Sequence, residues 1–228
     1  MKQVASLIIF TLLFNCNNNA QNNKKQQAMV NIKPTQVSLQ DGKARAYFAS
    51  GCFWCVEAIY QSVIGVEDAI SGYSGGHTEN PTYNSSNTGR TGHAEAVEVI
   101  YDPNVVSFSD LVEVYFSTQD PTQVNGQGPD WGSQYRSIIF YQNDEQKQIA
   151  EAKKAKWAKK ISSNIAAEIM PFQKFWEAEA YHQNFEARNP NHPYVRNVSN
   201  KRLDKLYKTC PLLVKKEVND VIKDLNKN

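Results

Sequence analysis

The segment RAYFASGCFWCVEAIYQSV (residues 45–63) joins two patterns of different period. Its first part, RAYFAS, is a short β-prone run that ends at a glycine. Its second part places four apolar side chains at helical spacing, namely Phe53, Val56, Ile59 and Tyr60. The segment therefore predicts a strand, a tight turn and a helix, with Cys52 at the turn.

The rest of the chain repeats this alternation of strands and helices. Strand patterns occur in AISGYSGG, HAEAVEVIYDP, YRSIIFYQ and NIAAEIMPF, and helical patterns occur in SFSDLVEVYFSTQDP and NDEQKQIAEAKKAKWAKK. The turn-rich segment NPTYNSSNTGRTG reads as a long loop, and loops of this kind are often functional. Strands separated by helices, without an internal repeat, predict an α+β sandwich of two layers.

Composition limits the classes of protein to which the chain can belong. With 228 residues, 41% of them hydrophobic, we expect one folded domain. The formal net charge is +2, from 25 Lys and Arg against 23 Asp and Glu. A chain with so small a net charge has no global basic field that would attract nucleic acid, so we expect no nucleic-acid partner.

The N-terminal part has the composition of an export signal followed by a linker. Lys2 precedes an apolar run too short to span a bilayer, and the run ends in LLFNC at Cys16, which resembles a lipoprotein box. We expect a signal segment at 1–16 with a lipid on Cys16, although Asn15 departs from the usual small residue and leaves ordinary cleavage or a retained anchor as alternatives. The protein would then be an exported lipoprotein of the bacterial cell envelope.

Three further segments follow this signal in the predicted organisation. An amide-rich tether occupies 17–40, a folded domain occupies 41–215, and a tail occupies 216–228. The first ordered residues are expected between Lys33 and Gln40.

Cys52 and Cys55 have the spacing of a reactive pair. A thiolate at a helix N-terminus is stabilised by free backbone N–H groups, so we expect the pKa of Cys52 to lie below the free value of about 8.5. Cys55 is one helical turn further along on the same side, within the reach of a disulfide. Cys52 is therefore the candidate nucleophile.

Glu95 is unusual because it begins an alternating strand. It shares one face with Val97, Val99 and Tyr101. If this face is the core side, burial raises the pKa of Glu95 and keeps it protonated, as a general acid requires. The alternative is that Glu95 faces solvent at the start of the strand or caps a neighbouring loop.

Six motifs together resemble the peptide methionine sulfoxide reductases of the A type. They are GCFWCVE, GYSGG, NPTY, TGHAEAVEVIYDP, GSQYRS and YHQNF, and they keep the order of the family from about Ala46 to Tyr194. The resemblance implies a central mixed sheet with flanking helices on a ferredoxin-like core, and it makes 41–215 the catalytic domain. It also implies reduction of the S epimer of methionine sulfoxide, free or in proteins, and hence repair of oxidised proteins.

The resemblance also implies a role for each motif residue. Cys52 would attack the sulfoxide sulfur, Glu95 would protonate the oxygen, and the hydroxyls of Tyr83 and Tyr135 would bind that oxygen. The remaining matches are expected to line the substrate pocket, with an apolar wall for the methyl group: Phe53, Trp54, Asp130 and His182. One position departs from the family, since Ala180 replaces an acidic residue whose contact Glu177 or Glu179 could supply.

Recycling of the enzyme leaves one alternative open. Attack produces a sulfenic acid on Cys52, which a second thiol condenses with to form a disulfide. We expect Cys55 to be this resolving residue, with Cys210 as the other candidate. The resemblance further implies a thioredoxin-like reductant and no metal or organic cofactor, and we expect a monomer.

Two rival functions use the same cysteines. A zinc site could combine Cys52 and Cys55 with His77 and His93, but a second closely spaced ligand pair is missing. A general thiol-disulfide oxidoreductase would also use the C-x-x-C pair, but it would leave Glu95 and the two tyrosines without a role.

Overall fold

The computed structural model describes residues 32–216. The predicted signal segment with Cys16, the tether as far as residue 31, and the tail from residue 217 lie outside the described residues. The compact unit that contains the domain starts at Pro34. Its first residues are attached to the domain, because Thr35 N–H donates to the Phe172 carbonyl over 2.8 Å and Val37 N–H donates to Gln142 Oε1 over 2.8 Å. The described chain is thus attached to the domain from Thr35 onward.

The described chain contains eight strands, six α-helices and three short helical turns. In chain order they are β1 Ala44–Ala49, α1 Phe53–Gln61, β2 Val66–Ser74, α2 Tyr83–Ser86, β3 Ala94–Tyr101, α3 Phe108–Ser117, β4 Gly126–Gln127, β5 Asp130–Trp131, a 3-10 turn Ser133–Tyr135, β6 Ile138–Tyr141, α4 Asp144–Ile161, β7 Glu168–Pro171, β8 Phe175–Glu177, α5 Phe185–Arg188, a π-helical turn Val195–Ser199, α6 Asn200–Thr209 and a 3-10 turn Pro211–Leu213. None of the helices within 32–216 is long and apolar enough to cross a membrane.

The large sheet has the strand order β7-β6-β1-β3-β2-β8. Its four central strands, β6-β1-β3-β2, are antiparallel and arise from a β-α-β-β-α-β chain path, which is the ferredoxin-like arrangement. β7 adds parallel to β6 and β8 adds antiparallel to β2, so the sheet is mixed. The expected α+β fold with a central mixed sheet and flanking helices is confirmed.

The turn between β1 and α1 depends on a glycine. Gly51 has φ +81°, a left-handed value that side chains disfavour, and a Cβ placed there would lie 2.5 Å from Cβ of Gln127. Arg202 braces the same turn, because its guanidinium donates to the Ser50 carbonyl and the Ser50 hydroxyl over 2.9 Å each. The turn fixes Cys52 at the start of α1.

The core lies between the sheet and helices α1 and α3. The largest fully buried side chains of this core are Tyr60, Tyr73, Tyr115, Phe48, Phe53, Phe116, Ile59, Leu111 and Ile139, whereas Tyr47, Ile138 and Phe140 form a second cluster with Phe172. Ser107 begins α3 with a capping box, because its hydroxyl accepts from Asp110 N–H and the Asp110 carboxylate accepts from Ser107 N–H. Burial of the apolar faces of α1 and α3 orders the site at the N-terminus of α1.

The segment after β8 forms short helices that pack back onto α1. The turn Val195–Ser199 and helix α6 bring Ser199 and Arg202 to the α1 side of the domain. No strand or helix of this segment is predicted from the sequence. The segment nevertheless completes the surroundings of the cysteine pair.

Candidate active site

Cys52 occupies the N-cap position of α1 and is buried, with 7% of its surface exposed. Its carbonyl accepts from the N–H of Val56, but its side chain caps no helical N–H. This is the predicted strand-to-helix turn.

Burial controls the ionisation of Cys52. Desolvation raises the pKa of the Cys52 thiol, and the neighbouring Cys55 and Glu95 raise it further. The expectation that the helix N-terminus lowers this pKa is therefore wrong for the substrate-free protein, because loss of water around the sulfur outweighs the helix dipole. The Cys52 thiol therefore holds its proton more tightly than a free thiol.

Cys55 is the more easily ionised member of the pair. A hydrogen bond from Cys52 lowers the pKa of Cys55, and Arg202, Ser199 and Tyr194 act in the same direction against burial. The Cys55 sulfur lies 2.8 Å from Ser199 Oγ and 3.8 Å from the Tyr194 hydroxyl. The two thiols are thus in contact, as the helical spacing predicts.

Glu95 faces the interior from β3, with only 2% of its surface exposed. Its Oε2 accepts a hydrogen bond from the backbone N–H of Phe53 over 3.0 Å. Burial raises the pKa of Glu95 to about 8, although the hydrogen bond from Phe53 opposes this rise. Of the two alternatives, the buried one holds, and at neutral pH the carboxyl carries a proton close to Cys52.

Aromatic rings form one wall of the site. The ring centroid of Phe53 lies 4.8 Å from that of His182 and 6.4 Å from that of Tyr83, and His182 and Tyr83 are 4.6 Å apart. Trp54 is partly buried beside them and stacks on Phe185 at 3.7 Å. Phe53 is fully buried, so it belongs to the core as well as to this wall.

His182 is fixed by its neighbour Trp54. The Trp54 indole N–H donates to Nδ1 of His182 over 3.1 Å. Burial lowers the pKa of His182, so its neutral form carries its proton on Nε2. This Nε2 atom is buried and has no hydrogen-bond partner among residues 32–216.

Tyr83 and Tyr135 come together from different loops. Tyr83 begins α2 and Tyr135 ends the 3-10 turn before β6. Burial raises the pKa of both phenols, and negative charge on Glu95 or Cys52 raises it further. Both hydroxyls therefore remain protonated donors beside these two groups.

Asp130 has a hydrogen-bond partner, Tyr194, that no sequence pattern predicts. The Tyr194 hydroxyl donates to Oδ2 of Asp130 over 2.5 Å, and the same hydroxyl contacts the Cys55 sulfur. Burial raises the pKa of Asp130, while Tyr194 and Arg202 oppose the rise. Tyr194 thus links the acidic residue of the pocket to the cysteine pair.

Glu179 supplies an anchoring contact next to the position where Ala180 departs from the family pattern. One carboxylate oxygen accepts from the Tyr73 hydroxyl and the other accepts from the backbone N–H of Tyr83, both over 2.9 Å. Glu177 is exposed and makes no such contact. Of the two glutamates considered, Glu179 is therefore the one that holds Tyr83.

Two predicted candidates lie apart from this site. Cys210 is buried at the end of α6, where its thiol donates to Ser117 Oγ over 3.3 Å. His93 uses both ring nitrogens in its own loop, since Nδ1 accepts from Gly76 N–H and Nε2 bonds to the Thr78 carbonyl. No group of three or more potential metal ligands occurs within 32–216.

The functional surroundings contain four residues that the sequence analysis does not identify. They are Tyr194, Ser199, Arg202 and Glu186, which surround Cys55. Ser199 is 144 residues from Cys55 in the chain. No local pattern links such distant positions, so only the folded arrangement reveals them.

Known proteins resemble this chain over most of its length. The family model "Peptide methionine sulfoxide reductase" matches residues 44–211. The peptide methionine sulfoxide reductase MsrA of Nautilia profundicola is 47% identical over 164 residues, which cover 72% of this chain and 94% of the relative. The enzyme of the same name from Pasteurella multocida is 49% identical over 155 residues, which cover 68% of this chain and 89% of the relative.

Solved structures resemble it as well. The crystal structure of Mxr1 from Saccharomyces cerevisiae in reduced form has a TM-score of 0.63 and 34% identity, covering 71% of this chain and 93% of that one. Methionine sulfoxide reductase A of Corynebacterium diphtheriae has a TM-score of 0.61 and 35% identity, covering 71% of this chain and 84% of that one. The fold and the sequence lead to the same assignment, and the chain belongs to the peptide methionine sulfoxide reductase family of the A type.

Proposed function

We propose that this protein reduces the S epimer of methionine sulfoxide, free or in proteins, to methionine. Membership of the family supports the reaction. The observation that carries the proposal is the buried Glu95, which holds a proton near neutral pH beside the Cys52 thiol. A buried acid next to a nucleophile suits a substrate whose oxygen accepts a proton while its sulfur is attacked.

Protonation of the sulfoxide oxygen starts the reaction. Glu95 donates its proton, and the hydroxyls of Tyr83 and Tyr135 donate hydrogen bonds to the same oxygen. Donors fixed before the reaction stabilise the transition state without reorganisation. The sulfoxide sulfur becomes electrophilic, and the Cys52 sulfur forms a bond to it.

The aromatic wall gives the substrate its orientation. A methyl-thioether packs favourably on ring faces and edges. Phe53 and Trp54 bind the methyl group, and the Trp54 contact with His182 holds that wall in place. Asp130 and its partner Tyr194 close the polar side of the pocket.

Protons and oxygen balance in this first step. The Cys52 thiol and the sulfoxide give methionine and a sulfenic acid on Cys52. The oxygen moves from the substrate sulfur to the Cys52 sulfur, and the proton that leaves the thiol replaces the one that Glu95 donates. The raised pKa of Cys52 fits this order, because the thiol ionises only as it attacks.

Cys55 resolves the sulfenic acid. Its sulfur bonds to the Cys52 sulfur, and the hydroxyl leaves as water. The contact between the two thiols supports this pairing. A thioredoxin-like dithiol then reduces the disulfide and restores both cysteines, so the cycle uses no metal or organic cofactor.

A single-turnover experiment tests the proposal. The reduced fragment from Lys24 onward is mixed with each sulfoxide epimer, without reductant, and methionine and free thiols are counted. We expect about one methionine per chain from the S epimer alone, with two thiols lost. Absence of methionine while Cys52 still reacts with an alkylating reagent would overturn the proposal in favour of simple disulfide exchange.

We propose in addition that Cys16 carries a lipid that anchors the protein in the bacterial cell envelope. The apolar run before Cys16 and the polar linker after it support this location. The expected result is incorporation of a labelled fatty acid in the expressing cell and its loss in Cys16→Ser. Equal labelling in both proteins would exclude the lipid at this position.

A further inference from the structure

The Cys55 sulfur has a buried polar neighbour that the reduction step does not use. Ser199 Oγ lies 2.8 Å from the Cys55 sulfur, and either atom could be the donor. Both side chains are almost completely buried, with 1% of Cys55 and 2% of Ser199 exposed. A proton that leaves Cys55 thus meets Ser199 at hydrogen-bonding distance.

Ser199 has a second neighbour, Glu186, besides Cys55. Ser199 lowers the pKa of the Glu186 carboxyl, so the two side chains are neighbours. Oε1 of Glu186 is buried and has no hydrogen-bond partner in the part of the chain that the structure describes. The Ser199 hydroxyl has a single proton, which it donates either to the sulfur or to the carboxyl, so the carboxyl can hold a proton in place of the sulfur.

Resting on the function proposed above, we infer that Ser199 and Glu186 form a proton-transfer chain that accepts the proton of Cys55 when it attacks the sulfenic acid on Cys52. The Cys55 proton passes to Ser199 Oγ, and the Ser199 proton passes to Glu186. The S–S bond forms, the S–O bond of the sulfenic acid breaks, and the hydroxyl takes the proton of Glu95 to leave as water. A thioredoxin-like dithiol then reduces the disulfide and supplies two protons, one to Cys52 and one to Glu95, while Cys55 and Glu186 keep the one proton that they share.

Oxidation of Cys52 creates the need for such an acceptor. In the reduced protein, a hydrogen bond from the Cys52 thiol lowers the pKa of Cys55. The sulfenic acid replaces that thiol donor, so the Cys55 thiolate then depends on its other neighbours, of which Ser199 Oγ lies 2.8 Å from the sulfur. A base reached through Ser199 restores the thiolate.

The surrounding charges favour one proton shared between Cys55 and Glu186. Burial raises the pKa of Glu186 to about 8, and negative charge on Cys55 contributes to the rise. Arg202, on α6, lowers the pKa of both groups, and Glu57, on the same helix as Cys55, raises that of Glu186. Ionisation of one partner therefore favours protonation of the other.

A cleft connects Glu186 to solvent. It has a volume of about 660 Å³, and its lining includes Glu57, Phe185 and Glu186. Cys55 has no place in this lining. The proton-transfer chain thus connects a sulfur that water does not reach with a carboxyl at the edge of the cleft.

Quenched single turnovers with the S epimer test the inference, following methionine, dimedone-trapped sulfenic acid and disulfide separately. We expect Glu186→Gln and Ser199→Ala to form methionine within twofold of the wild type but to form the disulfide at least tenfold more slowly. In both variants the disulfide rate should rise with pH, because Cys55 without its acceptor ionises only as the pH of the solution rises. Ser199→Thr keeps the hydroxyl and should restore the rate.

Glu57→Gln is the matched control, because this carboxylate borders the same cleft but accepts from Ser71 and from Asn184 N–H instead of Ser199. Disulfide rates of Glu186→Gln within twofold of this control would overturn the inference, even if Ser199→Ala fails to fold. Absence of methionine from the wild type is a different result, since it contradicts the proposed function and not the proton-transfer chain.

Discussion

The backbone N–H of Phe53 and Oε2 of Glu95 are joined by a hydrogen bond of 3.0 Å, which ties the buried acid on β3 to the first residue of the helix that follows Cys52. Glu95→Gln keeps an oxygen that can accept this bond but removes the proton donor. We expect the rate of methionine formation in a single turnover to fall by about 10²–10⁴. Rapid-quench counting of methionine measures it.

The same experiment has a pH signature. Because the pKa of Glu95 is about 8, the rate of the wild type should decline above pH 8, by about tenfold for each further unit. Glu95→Gln should lack this decline. A variant that retains both the wild-type rate and the alkaline decline would show that another group donates the proton.

Glu95 also lowers the stability of the folded protein at neutral pH. Its folded pKa of about 8 lies above the ordinary 4.5, so between these values the folded state binds more protons and stability falls as pH rises. We expect Glu95→Gln to be more stable than the wild type at pH 7, by up to about 3 kcal/mol at about 1.4 kcal/mol per pH unit. The difference should vanish below pH 4.5.

Urea unfolding of both proteins at pH 4, 7 and 9 measures this effect. Glu98→Gln is a control on the same strand, because the Glu98 carboxylate is partly buried like that of Glu95 but pairs with Arg45 and accepts from the Tyr47 hydroxyl. Equal free energies of unfolding for wild type and Glu95→Gln at pH 7 would contradict the burial argument.

Tyr83 and Tyr135 should act as paired donors. Replacing either with Phe removes one hydroxyl from the sulfoxide oxygen and leaves the ring in place. We expect each variant to lose about 10²–10³ in kcat, the usual effect of removing one donor to a developing charge. The double variant should lose less than the product, because the two hydroxyls bind one oxygen.

Tyr101→Phe is the matched control for these variants. Tyr101 lies at the far end of β3 from Glu95 and is more deeply buried than Tyr83 and Tyr135, so its packing is at least as sensitive to the substitution. Steady-state kinetics should show wild-type kcat for it. A loss in Tyr101→Phe as large as in Tyr83→Phe would mean that packing, and not the hydroxyl, explains the effect.

Local patterns predict the strand and the helix around Cys52 because their side chains repeat with different periods, and the glycine between them marks the turn. They also include burial of Glu95 as one of two alternatives, because alternation on β3 places its side chain either on the core face of the sheet or on the other face. The pKa of Cys52 could not be predicted in this way. It depends on how much water surrounds the sulfur, and that is set by side chains from several distant elements.

The neighbours of Cys55 could not be predicted from local sequence patterns either. Tyr194 and Ser199 approach it from 139 and 144 residues away, and both lie in or next to the π-helical turn before α6. The contact that Glu179 makes with Tyr83 spans 96 residues. Contacts of this range follow from the path of the chain, which local patterns do not encode.

Glu179 should position Tyr83 without touching the substrate. Glu179→Ala leaves the N–H of Tyr83 and the hydroxyl of Tyr73 without their acceptor. We expect kcat to fall about tenfold to a hundredfold because Tyr83 shifts, and stability to fall by about 1–3 kcal/mol. Glu179→Gln should recover part of kcat, since its amide oxygen accepts one of the two bonds.

Glu177→Ala is the control for this prediction, because the exposed Glu177 lies two residues away and makes no contact with Tyr83. Thermal unfolding and steady-state kinetics on the three variants provide the comparison. Wild-type kcat in Glu179→Ala would show that Tyr83 is held by its ring contacts alone.

The resolving residue can be identified by removing each candidate thiol. Cys55→Ser should still form one methionine per chain, but the sulfenic acid should persist because its neighbouring thiol is gone. Cys210→Ser should lose two thiols and form the Cys52–Cys55 disulfide at the wild-type rate. Peptide mapping of the oxidised proteins measures both outcomes.

The distances give the reason for this expectation. Cys55 is the immediate neighbour of Cys52, whereas Cys210 follows the last residue of α6 and donates to Ser117 at the end of α3. A Cys52–Cys210 bond would have to break the contact with Ser117 and bring the two Cα atoms within about 7 Å. Detection of that bond in the wild type, with Cys55 free, would reverse the assignment and make the last turn of α6 the moving part of the cycle.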